Sequence, residues 1–208
     1  MHKLLLLIGC LIAACSRDSG PDALPRVAAE LVGVYHDWDA GRFAGLFAAP
    51  KHVETNGRSL AWMHEQLGEC GEPTPMWSRG ALQTRYSAAC ERGALELDIT
   101  VDLAGRIDRL KFGAAGVAPG PALARAVQKA VAALPDGELT GPGNRSRARA
   151  FGRCGFVRTW VVSERAGLFH LQCEGGPAVL KLAIDEGGEA WLMNLWPGHV
   201  AGSLDAPV

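Results

Sequence analysis

The spacing of apolar residues along this chain changes period twice, and then the same change recurs. Val27, Leu31, Val34 and Trp38 fall on one face at helical spacing, with Pro25 in the first turn, and predict an amphipathic helix. A shorter helix is expected through Leu60, Met63 and Leu67, with Ser59 as its N-cap. The period then becomes two. Leu95, Leu97, Ile99 and Val101 alternate with Glu96, Asp98, Thr100 and Asp102, as on a strand with one face in water. Leu82–Cys90 reads as the preceding strand, and a turn at Asp102–Gly105 leads into another through Ile107, Leu110 and Phe112.

The second pass opens at Pro121. Leu123, Val127, Val131 and Leu134 form its helical stripe, and Pro135 stops it. A weaker helix is expected near Asn144–Phe151. Strands follow: two within Phe156–Cys173, one at Val179–Ile184, a turn at Asp185–Gly188, and one at Ala190–Trp196.

These two passes resemble each other residue by residue. Cys70-Gly71, Cys90-Glu91-Arg92-Gly93, Leu95, Leu97, Ile99, Asp102 and Gly105 correspond to Cys154-Gly155, Cys173-Glu174-Gly175-Gly176, Ala178, Leu180, Leu182, Asp185 and Gly188. Agreement across cysteines, glycines and apolar alternation identifies an internal repeat. The expected fold is therefore α+β: two tandem repeats, over residues 25–117 and 118–208. Each has one to three N-terminal helices packed on its own antiparallel meander. Cys70, Cys90, Cys154 and Cys173 permit three pairings, and the repeat favours one bond per copy, Cys70–Cys90 and Cys154–Cys173. Without a C-x-x-C pair, no metal site is expected of these cysteines.

The start of the chain adds an address. Lys3 precedes an apolar run from Leu4 to Ala14, too short for a permanent membrane span, and Ile12-Ala13-Ala14 leads directly into Cys15. This is the pattern of a bacterial lipoprotein signal over residues 1–14, with Cys15 acylated and first in the mature chain. Residues 15–24 form a short lipidated tether, whose nine residues from Ser16 to Leu24 reach at most about 30 Å. Ser16 after the cysteine points to the outer membrane, facing the periplasm. The expected partners are the lipid bilayer, through Cys15, and an envelope protein.

The formal net charge is −1, with 21 basic and 22 acidic side chains. That balance lacks the concentrated basic footprint that nucleic acid requires. The one local exception is Arg145, Arg147, Arg149 and Arg153, read as a solvated loop and helix.

A family resemblance enters at Val34-Tyr35-His36-Asp37-Trp38-Asp39-Ala40-Gly41-Arg42-Phe43 with Leu46-Phe47. This segment resembles the opening helices of NTF2-like (cystatin-like α+β cone) domains. The continuation resembles a module of that class attached to some exported serine hydrolases. The resemblance covers residues 25–113 directly and 120–197 through the repeat. It implies helix-on-sheet cones with room for a ligand cavity. The S-x-x-K of the attached hydrolases does not occur here.

Motifs for chemistry are sparse. His64-Glu65 starts like H-E-x-x-H, but position 68 is glycine, so that zinc pattern fails. His52-Val53-Glu54 lacks the P-C-x-x-C of zinc deaminases. A carboxylate buried in a cone could act as a general base with a raised pKa. Asp37 and Asp39, however, flank Trp38, whose ring is expected to fill the core and leave them, with His36, in solvent. His170 is expected on the exposed side of a strand. Trp77, Trp160, Trp191 and Trp196 are suited to a core or an interface. No catalytic residue, metal or cofactor is assigned. The expected role is non-catalytic binding or scaffolding. The alternatives are a small-molecule binder or a cofactor-free isomerase or lyase.

Overall fold

The computed structural model describes residues 23–50, 52–137 and 145–198, except for the side chains of residues 145–147 and 192. Eight antiparallel strands form one sheet in chain order: β1 (Thr74–Ser78), β2 (Gln83–Cys90), β3 (Gly93–Val101), β4 (Ile107–Ala115), β5 (Cys154–Ser163), β6 (Ala166–Cys173), β7 (Gly176–Ile184) and β8 (Ala190–Pro197). Three helices precede the first four strands: α1 (Ala23–His36), α2 (Ala40–Gly45) and α3 (Val53–Leu67). Two more, α4 (Pro121–Ala132) and α5 (Arg145–Phe151), precede the last four.

The expectation of two tandem domains, each with its own sheet, is overturned. β4 and β5 pair directly, Ala114 opposite Val161 and Ala115 opposite Trp160, so the strands of both repeats make a single continuous sheet. The physical reason lies in the edges. Two separate meanders would each leave a terminal strand with unpaired N–H and C=O groups. β4 ends in Gly113-Ala114-Ala115, small enough for β5 to draw alongside and lay the Trp160 indole over Gly113. An added Cβ there would stand only 2.7 Å from Trp160 Cε2. Trp62 of α3 strengthens the join, packing against the cores of both halves.

Helices cover one face of the sheet. Met63 and Leu67 of α3 are fully buried with Val34 of α1 and Leu95 and Ile99 of β3. Leu123 of α4 meets Leu180 and Leu182 of β7 in the same way. Burying such side chains supplies roughly 1.5–3 kcal/mol each, before the entropy of ordering them. Both disulfides are formed, Cys70–Cys90 and Cys154–Cys173, each joining residues directly opposite one another.

Several local expectations need correction. α1 starts at Ala23, inside the segment expected as tether, because Ala23 and Leu24 are themselves buried. α1 ends at His36, so Trp38 leaves its stripe; it is 38% exposed and packs on Phe43 and over Gly57. α3 starts at Val53 after His52, whose backbone is left-handed (φ 54°), so Ser59 lies inside the helix rather than capping it. β1 has no counterpart in the period analysis: its five residues are all exposed and carry no alternation.

Candidate functional site

The sheet face turned away from the helices carries charge that the alternation placed in water. Leu95 and Leu97 point into the helical core, so Glu96 and Asp98 point the other way. Yet Glu96 is only 3% exposed and Asp98 8%. Arg158 of β5 reaches over to pair with Glu96 of β3, an ion pair between the two halves. Asp98 accepts a hydrogen bond from Gln83 Nε2 at 3.1 Å, and its Oδ2 lies 3.8 Å from Arg85, its neighbour across the ladder. His170, opposite Arg158 on β6, is half-buried. Burial first, then the positive charges of Arg158 and Arg85, hold its pKa below the ordinary histidine value. These contacts tie β2, β3 and β5 together and give both buried carboxylates a partner.

A different cluster forms where α1 and α3 end. His36 is the last residue of α1 and His64 lies in the last turn of α3. Gly68 then turns the chain with φ 73°, where a Cβ would collide with the Glu91 carboxylate. That reversal brings Glu69 back over the helix ends. Glu69 Oε2 lies 2.8 Å from His36 Nδ1, and its Oε1 lies 3.4 Å from His64 Nε2. One ligand atom from each residue thus falls within 4.8 Å of the other two.

The surroundings of this cluster are well tied. Cys70 is held to Cys90 by the disulfide, and its carbonyl oxygen is 3.0 Å from His36 Nε2. Tyr35 donates its hydroxyl hydrogen to Gly68 O at 2.7 Å, and its ring lies 5.2 Å from both imidazoles. Burial, with the Glu69 charge second, pushes the Tyr35 phenol up to about 12. Arg92 donates to the carbonyls of Gln66 (2.7 Å) and Glu65 (2.8 Å), satisfying the C-terminal end of α3.

No family model, curated protein or solved structure matches this chain. The NTF2-like resemblance read from the Val34–Phe47 segment therefore has no matching family behind it, and the continuous sheet departs from the separate cones it implies.

Of the residues singled out in the sequence, Asp37 and Asp39 are exposed, and Asp39 caps α2 by accepting from Arg42 N at 2.8 Å. His52 and Glu54 are exposed at the start of α3. His170 faces away from the helical core as expected, but it is half-buried among arginines rather than open to solvent. Arg149 donates to Asp136 O, and Arg153 pairs with Glu174 at 2.9 Å, so these two arginines do not act as a free basic patch. Trp160 is buried, Trp196 half-buried, and Trp77 and Trp191 are exposed. Cys15 and the signal segment lie outside the described residues. In the sequence His64 lacks a second histidine four residues on. The partner stands 28 residues earlier, in His36, where local spacing carries no signal.

Proposed function

We propose that this chain is an exported bacterial lipoprotein, anchored by acylated Cys15 on the periplasmic side of the outer membrane, where it binds an envelope protein without catalysing a reaction. The observation that carries the proposal is the Leu4–Ala14 apolar run ending at Cys15. Two disulfides in the folded body support it, since such bonds persist in oxidising compartments. No helix among the described residues is long and apolar enough to cross a membrane, which accords with attachment through lipid.

The binding role is favoured over a ligand cavity by what fills the space between helix and sheet. Phe43, Met63, Leu67, Leu97 and Ile99 meet there at 0–1% exposure, whereas the buried charged residues point to the opposite face. The surface meanwhile displays Met76 and Trp77 on β1, at the edge of the sheet, at 51% and 36% exposure. An edge strand with an exposed aromatic is suited to pairing with an extended segment of another protein.

The test is metabolic labelling with an alkyne fatty acid in parent and Cys15→Ser cells, followed by membrane fractionation. Label on the parent alone, with the variant released from the membrane fraction, is the expected result. An unlabelled parent would overturn the anchor. For the binding role, a photo-crosslinking residue at position 77 should give a discrete adduct with another envelope protein. The same residue at exposed Leu103 should not, and equal yields from both would refute the role.

A further inference from the structure

We propose that His36 Nδ1, His64 Nε2 and the Glu69 carboxylate bind one divalent transition-metal ion, Zn²⁺ foremost, with its remaining coordination open to water. The inference rests only on the folded body and is independent of the anchor.

The spacing suits an ion. Zinc holds imidazole nitrogen at about 2.0–2.1 Å and carboxylate oxygen at about 2.0–2.2 Å, which places tetrahedral neighbours about 3.3 Å apart. The two observed nitrogen–oxygen separations, 2.8 and 3.4 Å, bracket that value. All three ligand atoms lie within 4.8 Å of one another, so the widest pair needs to close by at most about 1.5 Å, within the reach of rotamer adjustment in flexible side chains.

Protonation logic points the same way. The Cys70 carbonyl can only accept, so the His36 Nε2 that faces it at 3.0 Å carries the hydrogen. In the neutral ring the lone pair is then on Nδ1, which faces the Glu69 carboxylate, another acceptor. Although His36 Nδ1 and His64 Nε2 both contact this carboxylate, they are shut off from solvent and neither makes an aligned hydrogen bond to any described residue. Either a second proton on the His36 ring or a cation between the three atoms resolves this opposition of acceptors, and the zinc titration below separates the two. A carbonyl that fixes the far nitrogen of a histidine is also the usual outer support of a metal-bound imidazole.

The donor set limits the ion. Two imidazoles and one carboxylate suit zinc, iron(II), copper or nickel, whereas magnesium and calcium take oxygen ligands. Glu69 is 69% exposed, so the fourth position faces solvent, as in zinc sites that keep one coordination place for water or an incoming ligand. Cys70 contributes no thiolate, because its sulfur is in the disulfide.

The test uses the full-length protein in detergent, stripped with EDTA, transferred to chelator-free buffer and titrated with Zn²⁺ against a chromophoric chelator. Co²⁺ then serves as a spectroscopic probe of nitrogen and oxygen ligation. One zinc per chain is expected. Loss of an outer-shell partner alone weakens metal sites by roughly 10–100-fold, so removing a ligand in His64→Ala should cost at least about 100-fold. Glu69→Gln, which keeps the shape but weakens the oxygen donor, should cost about 10-fold or more. Melting of the Glu69→Gln protein in EDTA should match the parent, which separates lost ligation from lost folding. A parent that binds no stoichiometric zinc would show a plain His36–Glu69 ion pair and overturn the proposal. So would zinc affinity left unchanged by both substitutions.

Discussion

Replacing Gly113 with alanine probes the join between β4 and β5, the feature that makes one sheet of two repeats. An ideal Cβ at Gly113 would stand 2.7 Å from both Cε2 and Nε1 of Trp160, and 3.0 Å from Cδ1. Carbon atoms in comfortable contact are about 3.5–4.0 Å apart, so the ring would have to move by about 1 Å. It has little freedom to do so. Trp160 is 2% exposed and packed with Ala115, Leu168 and Val179. Overpacking of this kind costs about 1–3 kcal/mol. Alanine recovers roughly 0.5–1 kcal/mol of the entropy that glycine loses in a strand. The net expectation is a loss of up to about 2.5 kcal/mol, roughly 1 kcal/mol at the middle of these ranges, or a Tm lower by roughly 2–4 °C per kcal/mol for a body of this size. Urea unfolding followed by far-UV circular dichroism measures it, with Trp160→Phe and the double variant alongside. The smaller ring should relieve the clash, leaving the double variant more stable than the sum of single losses by about 1 kcal/mol. A stabilising Gly113→Ala together with strict additivity would show that the two residues do not meet, and would refute the close join of β4 and β5.

Two further perturbations follow from the same structure. Removing Cys70 and Cys90 together as serines opens a link between residues 20 apart, and the loop-closure model predicts a loss of about 3 kcal/mol. An unchanged urea midpoint would contradict it. Because His170 is held below its ordinary pKa, the fold favours its neutral form. That contribution is complete above the unfolded value near pH 6.5 and is lost as pH falls below it toward the folded pKa. Tm should therefore fall on acidification below about pH 6.5, and His170→Asn should flatten that slope. Identical slopes in parent and variant would refute the assignment.

What could be read from the chain was what short-range periodicity encodes. The β3 alternation from Leu95 to Val101 and the α4 stripe from Leu123 to Val131 both appear as elements in place. Each residue in them reports its own facing, so no distant partner is needed to see it. The ends of elements were less legible. Trp38 continues the α1 spacing, but the chain leaves the helix at His36 to pack that ring on Phe43, a choice made by tertiary contact. Glu96 and Asp98 look like surface residues because alternation says only which face they occupy. Whether that face is wet depends on Arg158, brought from 62 residues away.

The sequence by itself determined the helical stripes, the strand alternation, the repeat and, through the repeat, which cysteines belong together. All of these are local or self-referential patterns. Only the tertiary structure decided that β4 and β5 pair, that charges on β3 and β5 neutralise one another, and that His36, His64 and Glu69 converge. Those contacts join residues distant along the chain, and they depend on edge pairing, a glycine turn and the packing angle of two helices. Each is set by the free energy of the whole fold, which no window of neighbouring residues contains.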